Sequence, residues 1–376
     1  MFLPREETED ILRRLNAKEA LALIGPRRAG KSTLAHHVAD IWKETRGKSL
    51  FLDLERPGLV PTLSDLDNST TGLKPGDLLV LDEVQNVDGW EKWARNVVEN
   101  ELFKLIISGS NSRLLSSEVA TSLAGRALPK KILTLSFRDF KKWGGKNLTD
   151  YLRLGGYPEC VKRPDDLKEL IETYFELAIL RDVAARYNIR EISALRSFAT
   201  IALSESGKTL NIPRTALKIG VSAPTVRQFL QALEEAFLVL AIPSFNHSPR
   251  EREASLKKLY SYDLGMRSVL SVSESPDVGR IWENCVAIEL IRRGYRLSYL
   301  PGENECDFLA EKPGEALAVQ VCSDETIPER EIAGLLRGMK ARQNSKGIII
   351  NPNLDEKRKT SLGEILFVPL EKWLLH

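Results

Sequence analysis

The stretch Gly25-Pro26-Arg27-Arg28-Ala29-Gly30-Lys31-Ser32-Thr33 has the residue types and spacing needed to hold a polyphosphate. Its glycines let the main chain wrap closely, so that successive N–H groups point inward at phosphate oxygens. A helix starting there adds its positive end. Lys31 is spaced to reach the β- and γ-phosphates, and Ser32 to hold Mg²⁺. A second set of chemical groups closes the run "DLLVLDEVQ", where Asp82 and Glu83 follow buried-type residues. Sheets of α/β proteins put their ligands at the carboxyl ends of strands. Asp82 is therefore expected to bind Mg²⁺ through water and Glu83 to polarise an attacking water, the alternative for the pair being a helix cap. A glutamate directly after the aspartate suits hydrolysis. No N-K-x-D guanine-reading motif occurs, so ATP is expected over GTP by elimination.

Two further positions belong to the same chemistry. "KLIISGSNSRLL" puts Ser110 or Asn111 at the end of a strand expected beside the Asp82 strand. There Asn111 would hydrogen-bond the attacking water or the γ-phosphate, unless it sits in an ordinary turn. Arg126, in "SLAGRALP", precedes the last strand of the domain. It would stabilise transition-state charge at its own or a neighbouring subunit's γ-phosphate, or form a surface salt bridge.

The elements that must position these groups are short apolar runs separated by helical stretches: "ALALIG", "SLFLDLE", "DLLVLDE", "FKLIISGS" and "KKILTLS". Runs of this kind mark parallel strands covered on both faces, and a doubly wound α/β domain over 1–140 follows. The chain from 141 to 272 reads as helical, ending in a helix, a turn, a helix and a charged hairpin, the pattern of a winged helix-turn-helix. Residues 273–376 read as a small α/β domain built on the helix "RIWENCVAIELIRRG" and five strands.

In "KIGVSAPTVRQFLQAL", Ser222 is expected to cap the second helix, with Pro224 in its first turn. Thr225, Arg227 and Gln228 then lie where base edges are read, while Lys218, Arg250, Arg252, Lys257 and Lys258 would meet phosphates. Glu234, Glu235, Glu251 and Glu253 nearby keep a protein-binding role open for this module. In the last domain, Asp307 and Gln320, with Glu283 and Glu289 on the preceding helix, match the layout of a PD-(D/E)xK nuclease fold. The second carboxylate position is the neutral Gln320 and the lysine position is Cys322, so a nuclease-like fold without cleavage is expected.

Taken together, "GPRRAGKST", "LDEVQNVDGW", "ISGSNSRLL", "LAGR", "LSFRDF" and "GGYPE" resemble archaeal and bacterial ATPases of the AAA-like ASCE class that carry a C-terminal region of unknown function (DUF4143-type). The resemblance spans nearly the whole chain. It implies a Walker A at Gly25–Ser32, a Walker B at Asp82–Glu83, a sensor near Asn111 and an arginine finger at Arg126. It also implies a winged helix followed by a nuclease-like fold.

The bulk composition sets limits on this reading. Over 376 residues, 43% are hydrophobic and 28% charged, which suits a globular protein of two or three domains. A net charge of +2 gives no global pull on nucleic acid, so DNA binding would need local patches or several subunits pooling them. Cys160, Cys285, Cys306 and Cys322 are scattered without a CxxC pair, as in a reducing cytosol. The opening "MFLPREETEDILRRL" lacks the apolar core of a signal peptide, and no membrane span or membrane partner is expected. The expectation is a cytoplasmic ATPase using ATP and Mg²⁺ that binds or remodels duplex or branched DNA as a homo-oligomer. A nucleotide-dependent switch that recruits proteins is the alternative, and an active nuclease the third reading.

Overall fold

Leu78–Asp82 (β3), Lys104–Gly109 (β4) and Ala20–Ile24 (β1) are nearly unbroken apolar runs too short for helices, and all three are buried save for the half-buried Lys104. Such strands belong in the middle of a parallel sheet. In the computed structural model they occupy that place, flanked by Ser49–Asp53 (β2) and Ala127–Lys131 (β5) in the order β2-β3-β4-β1-β5. Every pairing in this sheet is parallel. The structure describes residues 4–55, 60–109, 125–246, 248, 250–251, 255–271, 277–343 and 345–376.

The two edge strands are more exposed and more polar, as edges allow. Pro129 lies in β5, where a missing N–H costs no ladder bond on the open side. The strand expected at Lys130–Ser136 begins three residues earlier, although Ile132 still donates to the Ile24 carbonyl at 2.7 Å. Helices α1 (Glu7–Arg14), α2 (Lys31–Thr45), α3 (Leu63–Thr70) and α4 (Trp90–Glu99) complete this part. Ile11 from α1 and Leu34, Val38 and Trp42 from α2 share one core with Leu23, Val80 and Ile106 of the sheet.

The chain divides into two compact units, Met1–Leu135 with Glu235–Phe237, and Ser136–Glu234 with Leu238–His376. Apart from Glu235–Phe237, the segments expected as a second and a third domain fall in the latter unit. Its first part is helical: α5 (Phe137–Lys142), α6 (Leu148–Leu154), α7 (Pro158–Lys162), α8 (Leu167–Leu177), a π-helical stretch at Ala178–Ala184, and α9 (Ile192–Ser204). Then come α10 (Ile212–Ile219) and α11 (Ala223–Glu235), and an antiparallel pair of strands, β6 (Val239–Pro243) and β7 (Lys257–Ser261). Helices α12 (Leu264–Leu270) and α13 (Val278–Arg292) lead into a six-stranded mixed sheet. Its strands are β8 (Arg296–Leu300), β9 (Cys306–Lys312), β10 (Glu315–Val321), β11 (Lys346–Asn351), β12 (Glu356–Thr360) and β13 (Gly363–Pro369), ordered β12-β13-β11-β10-β9-β8. Helix α14 (Glu329–Ala341) packs on it, and α15 (Leu370–Leu375) ends the chain.

Asn284 fastens the helix that precedes the last sheet to the two-stranded pair. Its buried side chain accepts from the Ser261 N–H and donates to the Ser261 carbonyl, tying α13 to the end of β7. The "GGYPE" motif is a second fastening. A Cβ on Gly155 would lie 2.3 Å from Asp263 Oδ1, and the Gly156 N–H donates to Asp263 Oδ2 at 2.9 Å. Among the described residues no helix is long and apolar enough to cross a membrane.

Candidate nucleotide site

The lysine loop leaves the end of β1 and turns through left-handed backbone at Arg28 (φ 66°) and Gly30 (φ 89°) before α2 begins at Lys31. Gly25 is required by packing as well as by curvature, since a Cβ there would lie 1.9 Å from the Ile132 carbonyl oxygen. The Lys31 ammonium is buried and donates to the carbonyls of Gly25 and Pro26 at 3.0 and 2.9 Å. Ala29 is fully buried, whereas Arg28 and Thr33 are exposed and Arg27 and Ser32 half-buried. Arg27 lies 3.5 Å from Glu55. Pro26 is buried within the loop.

The loop is braced from outside by a residue the sequence did not single out. Arg5, only 4% exposed, donates from Nη1 to the Ala29 carbonyl at 2.7 Å and from Nη2 to the Leu133 carbonyl at 2.8 Å. An anion nest turns its N–H groups inward and hence carbonyls outward, and those carbonyls need donors of their own. Arg5 supplies one.

Asp82 and Glu83 follow at the end of β3, separated from β1 by β4. Both carboxylates are buried. Ser108, buried near the end of β4, donates to Asp82 Oδ1. Sequence pattern does not single out this serine, because "LIISG" reads as a plain apolar strand and the more evident polar residues follow it. Those residues, Ser110 and Asn111, lie outside the described residues.

Glu83 adopts left-handed backbone (φ 53°, ψ 47°), and a 3₁₀ turn at Val84–Asn86 follows at once. The turn brings Gln85 back so that its Nε2 donates to Glu83 Oε2. Burial pushes the Glu83 carboxyl above the usual glutamate value and Asp82 adds to that rise, while Lys31, Gln85 and Arg27 oppose it. The lysine loop and the strand-end carboxylates therefore act on one another across a single site. Its oxygen donors suit a hard divalent cation, and Ser32 and Asp82 would hold it.

Arg126 is found in the salt-bridge alternative of its two expected roles. Its carbonyl accepts from the Ala20 N–H at 2.9 Å, level with the start of β1, so the arginine lies at the edge of the sheet opposite the lysine loop. Five residues of strand separate the two ends by roughly 15 Å. Its guanidinium pairs with Glu99 at 2.8 Å. The pair keeps its side chain at the start of β1, away from the lysine loop at the other end of that strand.

In the second unit, α10 ends at Gly220 in left-handed backbone, and Ser222 Oγ accepts from the Thr225 N–H at 3.2 Å at the start of α11. Val226, Phe229, Leu230 and Leu233 bury one face of α11, leaving Arg227 and Gln228 exposed with Lys218 of α10. Thr225 is half-buried and Arg250 exposed, while Arg252 and Glu253 lie outside the described residues. A cleft of about 790 Å³ is lined by Asn211, Pro213, Arg227, Gln231, Leu256 and Lys257. Lys257 is 3.8 Å from Glu234.

Lys258 requires a correction. Alternation along β7 turns it inward, where it is buried and donates to Glu283 at 2.9 Å and to Glu305. It faces no solvent and meets no phosphate. Glu283, Glu305 and Asp307 bring carboxylate oxygens within 4.8 Å of one another. Burial pulls Lys258 down, yet Glu283, Asp307 and Glu305 together hold it above the ordinary lysine value. Burial, then Glu283, push Asp307 well above the usual carboxylate range. Gln320 accepts from the Asp307 N–H at 3.3 Å and donates to Glu331 at 2.6 Å, and Cys322 is buried. Glu289 is apart from this group, paired with Arg292 and Arg293.

A parallel sheet with a lysine loop after one strand and an Asp-Glu pair after another is typical of P-loop nucleoside triphosphatases. Residues 17–141 match the family described as AAA domain, residues 145–277 a domain of unknown function (DUF8612), and residues 278–373 a domain of unknown function (DUF4143). An uncharacterized protein of Methanocaldococcus jannaschii is 30% identical over 406 aligned positions, covering 97% of this chain and 90% of that one. An uncharacterized protein of Haemophilus influenzae is 29% identical, covering 93% of each. Among solved structures, AMPPCP-bound DnaA from Aquifex aeolicus gives a TM-score of 0.33 at 16% identity, over 62% of this chain and 90% of that one. The chain belongs to the family of the Methanocaldococcus jannaschii protein, with an AAA domain followed by DUF8612 and DUF4143 regions.

Proposed function

We propose that this protein binds ATP with Mg²⁺, hydrolyses it, and uses the cycle to bind or remodel duplex or branched DNA as a homo-oligomer. One observation carries the ATPase reading: the buried Glu83 carboxyl is under the electrostatic influence of Lys31, Arg27 and Asp82 at the carboxyl ends of β1 and β3. Lys31 would exchange its bonds to the Gly25 and Pro26 carbonyls for phosphate oxygens. Glu83 takes a proton from the attacking water, and Ser108 fixes Asp82. Ser32 and Asp82 would hold the metal, which would supply neutralisation of phosphate charge. Arg126 would serve only a neighbouring subunit.

The DNA reading rests on the capped start of α11 and the exposure of Lys218, Arg227 and Gln228 on one helix-turn-helix, followed by the hairpin β6–β7. It treats this module as a winged helix and the six-stranded sheet as a nuclease-like fold that does not cut. Leu217 at 85% and Leu256 at 63% exposure favour a second reading, in which the module recruits a protein and ATP sets a switch.

Steady-state hydrolysis, alone and with single-stranded, duplex and four-way-junction DNA, separates the two. Stimulation by one DNA form, lost in an Arg227→Ala variant, supports the coupled motor. Turnover indifferent to every DNA, with no binding near physiological salt, overturns the DNA role in favour of the switch.

A further inference from the structure

We infer that Gln85 positions the attacking water beside Glu83, accepting the second hydrogen of that water through Oε1. The inference rests on the ATPase reading and adds a residue to it.

A side-chain amide has one donating and one accepting end. The donating end, Nε2, is on Glu83 Oε2, since the reverse orientation would set two oxygens against each other. The accepting end is thereby fixed on the far side of the same small group. Gln85 Oε1 is buried and has no hydrogen-bond partner among the described residues. Buried amide oxygens are nearly always paired, and one that is not calls for an explanation. Here it stands one amide width from the carboxylate assigned as general base. The left-handed backbone at Glu83 and the 3₁₀ turn after it hold the two side chains together, a conformation a non-glycine residue adopts only when its surroundings impose it.

Two neighbouring acceptors suit one water. Its oxygen must face the γ-phosphorus with a lone pair, so both hydrogens must point away. Glu83 receives one and Gln85 Oε1 the other, which removes the remaining rotation and presents the lone pair for attack. The water oxygen then bonds to phosphorus as the bond to the β–γ bridging oxygen breaks. One proton passes to Glu83, the other stays on the oxygen that becomes part of inorganic phosphate, and ADP keeps the electron pair of the broken bond. Gln85 exchanges no proton. It is a positioning residue, and it also donates to the ionised form of Glu83, alongside Lys31 of α2 and Arg27 of the loop and against Asp82 of β3.

The test is steady-state ATP hydrolysis by the full chain with Mg²⁺, across pH, for the unsubstituted protein, Gln85→Met, Gln85→Glu and Glu83→Gln, with thermal melts of each. Gln85→Met should lower kcat by about 100-fold and leave KM within about threefold. Its acid limb should move to higher pH, because Glu83 loses a donor. Gln85→Glu keeps an acceptor but sets a like charge beside Glu83. It should move the limb further up while recovering part of the plateau rate. If Gln85→Met keeps kcat within about threefold with an unmoved limb, the inference is overturned and the ATPase reading stands. If both Gln85 variants lose ATP binding, or melt far below the unsubstituted protein, Gln85 is a structural strut and the inference is again overturned. No turnover by the unsubstituted protein above Glu83→Gln overturns the ATPase reading, and this inference with it.

Discussion

Glu83 shows how a single residue can be set for its task by its position. A base near the γ-phosphate works only when ionised. Burial raises its pKa, so the ionised fraction falls away at a higher pH than for an exposed glutamate. Activity is present above that raised value and is lost as pH falls through it. The acid limb of the kcat profile should therefore lie above the ordinary glutamate range. A limb at or below that range, measured at saturating ATP, would show that Glu83 is not the titrating base. Ser108 belongs to the same scale: its hydroxyl holds Asp82, one residue before the base.

At the scale of elements, two contacts far apart in the sequence define what the motifs alone do not. Arg5, from the segment before α1, braces the lysine loop through Ala29 and the β5 exit through Leu133. Removing it leaves the Ala29 carbonyl without this donor, and a bond to a charged donor is worth enough that Arg5→Ala should raise KM for ATP about tenfold. Arg5→Lys should restore part of the loss with kcat unchanged. A KM that does not move would mean the loop needs no outside brace. Lys258 plays the matching part in the other unit, where it neutralises Glu283 of α13 and Glu305 just before β9. Lys258→Met strands buried carboxylates and should cost roughly 3–5 kcal/mol of stability by denaturant titration. Because the folded-state pKa of Lys258 is raised, its stabilisation is complete below the ordinary lysine range and is lost only as pH climbs through the raised value. The deficit should therefore be flat across neutral pH, and a deficit that disappears there would show that the cluster does not depend on this cation.

The whole molecule was legible where function and local pattern coincide. The lysine loop, the Asp82-Glu83 strand end and the parallel runs themselves follow from spacing and apolar continuity, because each needs only neighbours in sequence. The Ser222 cap was legible for the same reason. Other features were not. Strand β12, "EKRKT", is charged on both faces because it is an edge, so it carries no apolar alternation to read. Arg126 looked close to the nucleotide in sequence, but the parallel register put it at the far edge of the sheet. Lys258 looked like a wing cation until the period of β7 turned it inward. Arg5, Ser108 and Gln85 depend on long-range packing or on a turn, and no pattern announces them.

The most direct test of the account is ATP binding and turnover measured together on the full chain and on Glu83→Gln. The account predicts that both bind ATP with similar affinity in Mg²⁺. It also predicts that Glu83→Gln releases phosphate at least about 100-fold more slowly, retaining intact ATP. Hydrolysis by Glu83→Gln at the rate of the unsubstituted protein would contradict the assignment of the base. Failure of the unsubstituted protein to bind ATP at all would contradict the account at its root.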